Sequence, residues 1–353
     1  ANALPIGSGP YLLSKTVSNR QSEYSRRKDY WAQKLPVRRG MFNFDTVRLK
    51  YYQDDTVRVE RVKGGQYDFM QENTAALWAR GYPDSALKRH GLVKKEWQQQ
   101  STAGMQGFVM NMRRTPLNDI RVRQALVLSF DFESVNRRMF YGVYTRSNSF
   151  FTNSEMAATG KPTDAELAIL LPLKNQLSAA VFSQNVPQPP KVDPKLGVRP
   201  NLLQARSLFE QAGFRYQNGV LVDKKGKPLE FEFVTYNKNF GRVVSKWQRD
   251  LAKIGVTLKV RVTDSAVFRK RLDDFNFDLT STNDSNSESP GNEQFDYYSC
   301  ATAKTPGSRN YAGMCDPAIE VLLKRFESFN NRADLVASAR ALDRVLRHQY
   351  IIV

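Results

Sequence analysis

The chain has 353 residues, with 53 Lys and Arg against 35 Asp and Glu, giving a formal net charge of +18. Its 41% apolar and 25% charged content suits a folded protein with a sizeable core and excludes the low-hydrophobicity signature of a disordered chain. The length fits about two domains, and no apolar run approaches the ~18–20 residues that cross a bilayer.

In chain order, a turn at Gly7-Ser8-Gly9-Pro10 leads into the strand-like Tyr11-Leu12-Leu13. Strands are expected near 46–52 and 91–97 and at Phe108-Val109-Met110-Asn111. Helices follow at about 119–130 and 132–141, the second with Asp131 as N-cap and Gly142 as its stop. Five prolines make 183–200 a loop or strap. A helix over 201–212 stops at Gly213.

From 227 to 281 the apolar period switches back and forth. Leu229, Phe231 and Phe233 alternate with glutamates as a strand, and Val243, Val244, Trp247, Leu251 and Ile254 have helical spacing with Gly255 as the cap. Val256, Leu258, Val260 and Val262 form a second strand, 265–273 a short helix and 277–281 a third strand. Such a β-α-β-α-β run folds into a largely parallel sheet whose ligands bind beyond the carboxyl ends of the strands. The last helix spans 332–347, and the chain closes on the β-favouring Tyr350-Ile351-Ile352-Val353. Ends of this kind are expected of a piece cut from a longer protein.

Catalytic motifs are missing. The two histidines, His90 and His348, and two cysteines, Cys300 and Cys315, do not have the spacings of a zinc site. Gly64-Gly65 and Gly7-Ser8-Gly9 belong to neither phosphate-loop pattern, and there is no GxSxG nucleophile elbow. Cys300 and Cys315 flank a Gly- and Pro-containing loop, a candidate disulfide if the protein is exported and two free thiols in a reducing compartment. The basic residues are scattered in pairs and triplets over many elements, as on a solvated surface; a basic nucleic-acid-associated α/β protein is the alternative reading.

The segment 282–296 follows the third strand and is crowded with hydrogen-bonding side chains, where an open α/β sheet places its ligand loop; an exposed polar loop would read the same way. Asp284, Glu288 and Glu293 suit an ammonium group, and Asn283, Ser285, Asn286, Asn292 and Gln294 suit peptide amides. Asn111, at the end of its strand, is a weaker candidate.

These residues resemble a family. Gly7-Ser8-Gly9-Pro10-Tyr11, Arg27-Lys28-Asp29-Tyr30-Trp31, Gly64-Gly65-Gln66-Tyr67-Asp68, Phe108-Val109-Met110-Asn111 and Asp119-Ile120-Arg121-Val122-Arg123-Gln124-Ala125-Leu126 are similar, in order, to motifs of the family 5 extracellular solute-binding proteins of ATP-driven importers. Ser289-Pro290-Gly291-Asn292-Glu293-Gln294 and Pro306-Gly307-Ser308-Arg309-Asn310-Tyr311-Ala312-Gly313 resemble its Yej-type branch, associated with oligopeptides and microcin C.

The resemblance implies an α/β periplasmic-binding-protein-like fold of type II, two lobes around a hinge, with the N-terminal part of the full protein lacking. Residues 1–30 would be the return segment of the first lobe, 31–285 the second lobe, and 286–353 the ligand loop and the return toward the first. It implies a non-enzymatic periplasmic receptor that passes oligopeptides to permease and ATPase subunits, without cofactor, metal or nucleic acid. The missing N-terminal part would be a partner, so this chain alone is expected to bind peptide weakly or not at all. In the oligopeptide binders the loop after the third strand carries an aromatic residue and an Asp that meets the peptide amine; here Asp284 stands near the aromatic position and Ser287-Glu288 near the acid.

Overall fold

A computed structural model describes residues 4–98 and 100–353 and divides the chain into two compact units, Ala1–Glu96 and Trp97–Val353. The first holds an antiparallel sheet of β1 (Tyr11–Val17), β2 (Gln21–Arg26) and β3 (Thr46–Lys50), with β2 in the middle. A boundary near residue 30 therefore falls inside one sheet, because β3 pairs with β2. The helix Asp55–Lys63 starts where the Asp54 carboxylate accepts the amides of Thr56 and Val57, and it buries Val59 and Val62 against Tyr82 and Leu87.

The strand expected at 91–97 does not form. Side chains hold this segment instead of a backbone ladder: Leu92 packs on the same small core, the Trp78 indole donates to Glu96 at 2.6 Å, and Lys94 donates to the Trp78 carbonyl.

In the second unit, β4 (Met105–Met110), β7 (Glu230–Thr235), β8 (Thr257–Val262) and β9 (Leu279–Asp284) form a sheet in the order β4-β9-β7-β8; β5 (Arg215–Gln217) and β6 (Val220–Val222) make a separate hairpin. β7 runs parallel to β8 and β9, as the β-α-β-α-β pattern requires, while β4 is antiparallel to β9. Phe108, Met110, Phe231 and Phe233 face a core completed by Trp247, Leu126 and Phe209. Val109 and Val234, pointing the other way from the pleat, meet Phe277, Leu342 and Leu346.

The helix Lys238–Ala252 buries Val243, Val244, Trp247 and Leu251, and its indole donates to the Ser129 hydroxyl at 2.7 Å. Gly255 then turns at φ +80°, where a Cβ would stand 2.7 Å from the Leu221 amide nitrogen. The third strand starts at Leu279, two residues later than the sequence suggests, and continues to Asp284 because the ladder with β4 runs that far. Residues 282–284 are thus strand and Glu293–Tyr298 a helix, so the segment 282–296 is only partly a loop.

The chain end completes the sheet at β4: Phe108 and Val353 exchange backbone bonds of 3.0 Å, and Ile352 bridges Val109. The last helix, Arg332–His348, anchors the 149–190 region with buried polar groups. Asp343 accepts the amides of Phe150 and Ala158 at 2.8 and 2.9 Å, Arg344 pairs with Glu166 at 2.9 Å, and Arg347 donates to the Pro187 carbonyl of the proline-rich strap. Among the described residues no helix is long and apolar enough to cross a membrane, and no cluster of His, Cys, Asp and Glu is placed to hold a metal.

Candidate functional site

Alternation along β9 decides which of its polar residues turn inward. Asn283 and Ser285 are exposed, whereas Thr282 and Asp284 are buried, Asp284 with 7% of its surface accessible. The Thr282 hydroxyl donates to Asp284 Oδ1 at 2.8 Å. Opposite the end of the strand, Gly104 adopts φ +68° with its missing Cβ only 2.0 Å from the Asp284 carbonyl oxygen, so no larger residue fits beside the carboxylate's backbone.

Asp284 opens on a cavity of about 10 Å³ lined by Tyr297, Tyr298, Arg309, Tyr311 and Ile351 among others. That is room for one water-sized group. Burial pushes the Asp284 carboxyl up to about 6, against the opposing pull of the Thr282 hydroxyl and the Arg309 charge. The Tyr298 hydroxyl is buried without a hydrogen-bond partner among the described residues, and burial raises its pKa well above the usual phenol value. The Arg309 guanidinium lies over the Tyr297 ring, 4.6 Å from its centroid. An ionisable carboxylate and an unsatisfied phenol around a water-sized space suit a small cationic donor such as an ammonium.

The loop that carries Arg309 and Tyr311 is fixed at both ends. Cys300 and Cys315 form a disulfide, so the candidate pair is joined. Within the closed loop, the Asn310 amide donates to the carbonyls of Ser299 and Met314 at 2.9 and 2.8 Å and accepts from the Met314 amide at 2.8 Å. Arg113, stacked 3.6 Å over the Phe275 ring, donates to the carbonyls of Ala303, Asn310 and Tyr311.

The other expected residues divide. Asn286 donates to the Phe150 carbonyl and accepts from Gln294, both at 2.7 Å, while the buried Gln294 Oε1 has no partner among the described residues. Glu288 accepts from the Thr102 amide and hydroxyl, which hold its carboxyl below the usual range. Glu293 caps the Gly291 amide at 2.9 Å, and Asn292 and Glu293 are exposed.

Asn111 does not belong to the site. Met105 pairs with Asp284 and Met110 with Leu279, so the antiparallel register carries Asn111 to the far end of the strands, roughly 20 Å away at ~3.3 Å per residue. Its side chain is spent there: it donates to the carbonyls of Phe275 and Phe277 at 3.0 Å and accepts from Arg113.

Tyr297, Tyr298, Arg309 and Tyr311 were not among the expected site residues. Their signal is a tyrosine pair just before Cys300 and an Arg-Asn-Tyr run inside the cysteine loop, but only the disulfide and the fold bring them onto β9.

A family profile for the bacterial extracellular solute-binding proteins, family 5 middle, matches residues 1–306. A putative binding protein of Brucella melitensis is 36% identical over 97% of this chain and 56% of its own length. A probable peptide-binding protein, YejA, of Agrobacterium fabrum is 38% identical over 98% of this chain and 57% of its own. The chain thus spans a little over half the length of these relatives. Among solved structures, the oligopeptide-binding protein AppA of Bacillus subtilis, in complex with a nonapeptide, superposes with a TM-score of 0.71 at 20% identity over 98% of this chain and 59% of AppA.

Proposed function

The chain belongs to the family 5 bacterial extracellular solute-binding proteins, and from that premise we propose that it supplies the Asp284 side of a peptide site in a periplasmic receptor. The observation that carries this reading is the buried Asp284 carboxylate beside a water-sized cavity at the carboxyl end of β9, the edge at which open α/β sheets bind ligands. The peptide's terminal ammonium fits that space and pairs with the carboxylate. Asn283 and Ser285, exposed on the same strand end, and Asn292 and Glu293, exposed on the next helix start, would hydrogen-bond the peptide amides.

The receptor would capture oligopeptides and pass them to the permease and ATPase subunits of an importer; a microcin C-like conjugate is the narrower form of this reading. The peptide-binding name of the Agrobacterium relative and the nonapeptide in AppA support a peptide cargo. Titration of the full-length protein, with its N-terminal part, with short peptides at 50 and 200 mM salt, beside a single-stranded oligonucleotide, tests it. Saturable peptide binding that persists at the higher salt is expected. Oligonucleotide binding alone, falling by about 10³–10⁵ as six to ten phosphate contacts would, refutes it in favour of the nucleic-acid alternative.

A further inference from the structure

A second set of charged side chains lies on the other face of the sheet. Arg242, Ser245, Lys246 and Arg249 sit at i, i+3, i+4 and i+7 on the helix Lys238–Ala252, one stripe of its surface. They face Ser134 and Arg138 of the helix Phe132–Met139 across an open groove of about 360 Å³. This helix layer covers the Phe108 and Trp247 face of the sheet, whereas the Asp284 cavity is lined by Val109, which points to the opposite face.

The charges in the groove do not cancel. Lys246 is paired with Asp131 and Asp250, and Lys253 shares Asp250, so two ammoniums are set against two carboxylates. Arg138, Arg242 and Arg249 make no hydrogen bond or ion pair among the described residues. Three exposed guanidiniums thus line one groove without a paired acid among the described residues, unlike Arg58, Arg271 and Arg344, which each hold a carboxylate. Guanidinium forks match the oxygens of a phosphate, and the lower end of the usual ligand-pocket range, ~300 Å³, leaves room for an organic group attached to it.

We propose that the groove between the helices Phe132–Met139 and Lys238–Ala252 binds a phosphate ester through Arg138, Arg242 and Arg249. The phosphate of a soluble ester and that of an anionic lipid headgroup present the same chemistry to these side chains. The assignment does not depend on the peptide reading, because neither Asp284 nor its cavity takes part.

The test is calorimetric titration of the protein with glycerol 3-phosphate, in parallel with co-sedimentation on phosphatidylglycerol and on phosphatidylcholine vesicles. Three proteins are compared: wild type, an R138Q/R242Q/R249Q variant, and a K224Q/K225Q/K227Q variant that removes the same charge from the exposed turn after β6. Saturable binding to glycerol 3-phosphate, or to phosphatidylglycerol and not phosphatidylcholine, is expected for wild type and the lysine variant. The arginine variant should bind about tenfold or more weaker, as lost charge-assisted contacts dictate. Which probe binds identifies the soluble or the lipid source. No binding of either anionic probe by wild type overturns the proposal, and so does an equal loss in the two variants, which would leave only general surface charge. The substituted arginines have no hydrogen-bond or ion-pair partners among the described residues, and unchanged melting temperatures verify that the comparison is between folded proteins.

Discussion

Arg113 Nη2 donates to the Asn310 carbonyl at 2.8 Å across 197 residues of sequence, joining the end of β4 to the disulfide-closed loop that carries Arg309 and Tyr311. Gly313 allows this approach: it sits at φ +71°, and a Cβ there would stand 2.7 Å from Arg113 Nη1. The wall of the Asp284 cavity is therefore held by a side chain whose own end of the sheet is remote from the carboxylate.

Replacing Arg113 with Met leaves the carbonyls of Ala303 and Tyr311 without their side-chain donor and that of Asn310 with the Gly313 amide alone. An unfolding loss of about 3 kcal/mol is expected, in the upper part of the range for single substitutions, from urea denaturation. Hydrogen exchange should quicken first at 303–311.

Cleaving the Cys300–Cys315 bond, a separation of 15 residues, frees the same loop. A Cys300→Ser/Cys315→Ser variant should lose about 3 kcal/mol if loop-closure entropy dominates. Under a reducing agent the wild type should fall to the same stability, and no further loss should occur in the variant.

Gly104→Ala places a methyl group where the Asp284 carbonyl oxygen already lies, at a positive φ that Ala resists. The end of β9 must move, and a stability loss of about 2 kcal/mol or more is expected by thermal denaturation. Gly91→Ala, also at positive φ but with nothing within 4 Å, should cost less.

Asp284 makes stability depend on pH with a definite sign. Its carboxyl is pushed up to about 6 by burial, from an ordinary value of 3.8, so between these values the folded state holds the proton that the unfolded state has released. Stability from this group is full below about pH 4 and declines as pH rises through about 6, by an order of 2–3 kcal/mol. Asp284→Asn should thus be more stable than wild type at pH 8 and about equal at pH 4, measured by denaturant unfolding. A ligand ammonium needs the ionised form, so its affinity should rise about tenfold per pH unit below about 6 and level off above.

Much of this architecture could be read from the residues. The alternation of Phe231 and Phe233, the helical spacing of Val243, Val244, Trp247 and Leu251, and the glycine at 255 determine the β7–helix–β8 unit locally, and it forms as the pattern requires. Direction is not local. Nothing within Phe108-Val109-Met110-Asn111 states that β4 runs antiparallel to β9, and that orientation alone moves Asn111 from the ligand edge to the opposite one. Asp284 was legible by its position after the third strand, whereas Tyr298 and Arg309 reach it only through the turn of the Glu293–Tyr298 helix and the cysteine loop. The segment 91–97 misled because Val93 and Trp97 favour strands, while Leu92 and Glu96 find side-chain partners and no neighbouring strand.

The most direct test of the Asp284 assignment is calorimetric titration of the full-length protein with a short peptide and with the same peptide acetylated at its amino terminus, for wild type and Asp284→Asn, at pH 7.5 and physiological salt. The account predicts that the free peptide binds wild type, that acetylation and the D284N substitution each weaken binding by about tenfold or more, and that the two losses do not add, because both remove one charge-assisted contact. Equal affinity of wild type and D284N for the free peptide would contradict it.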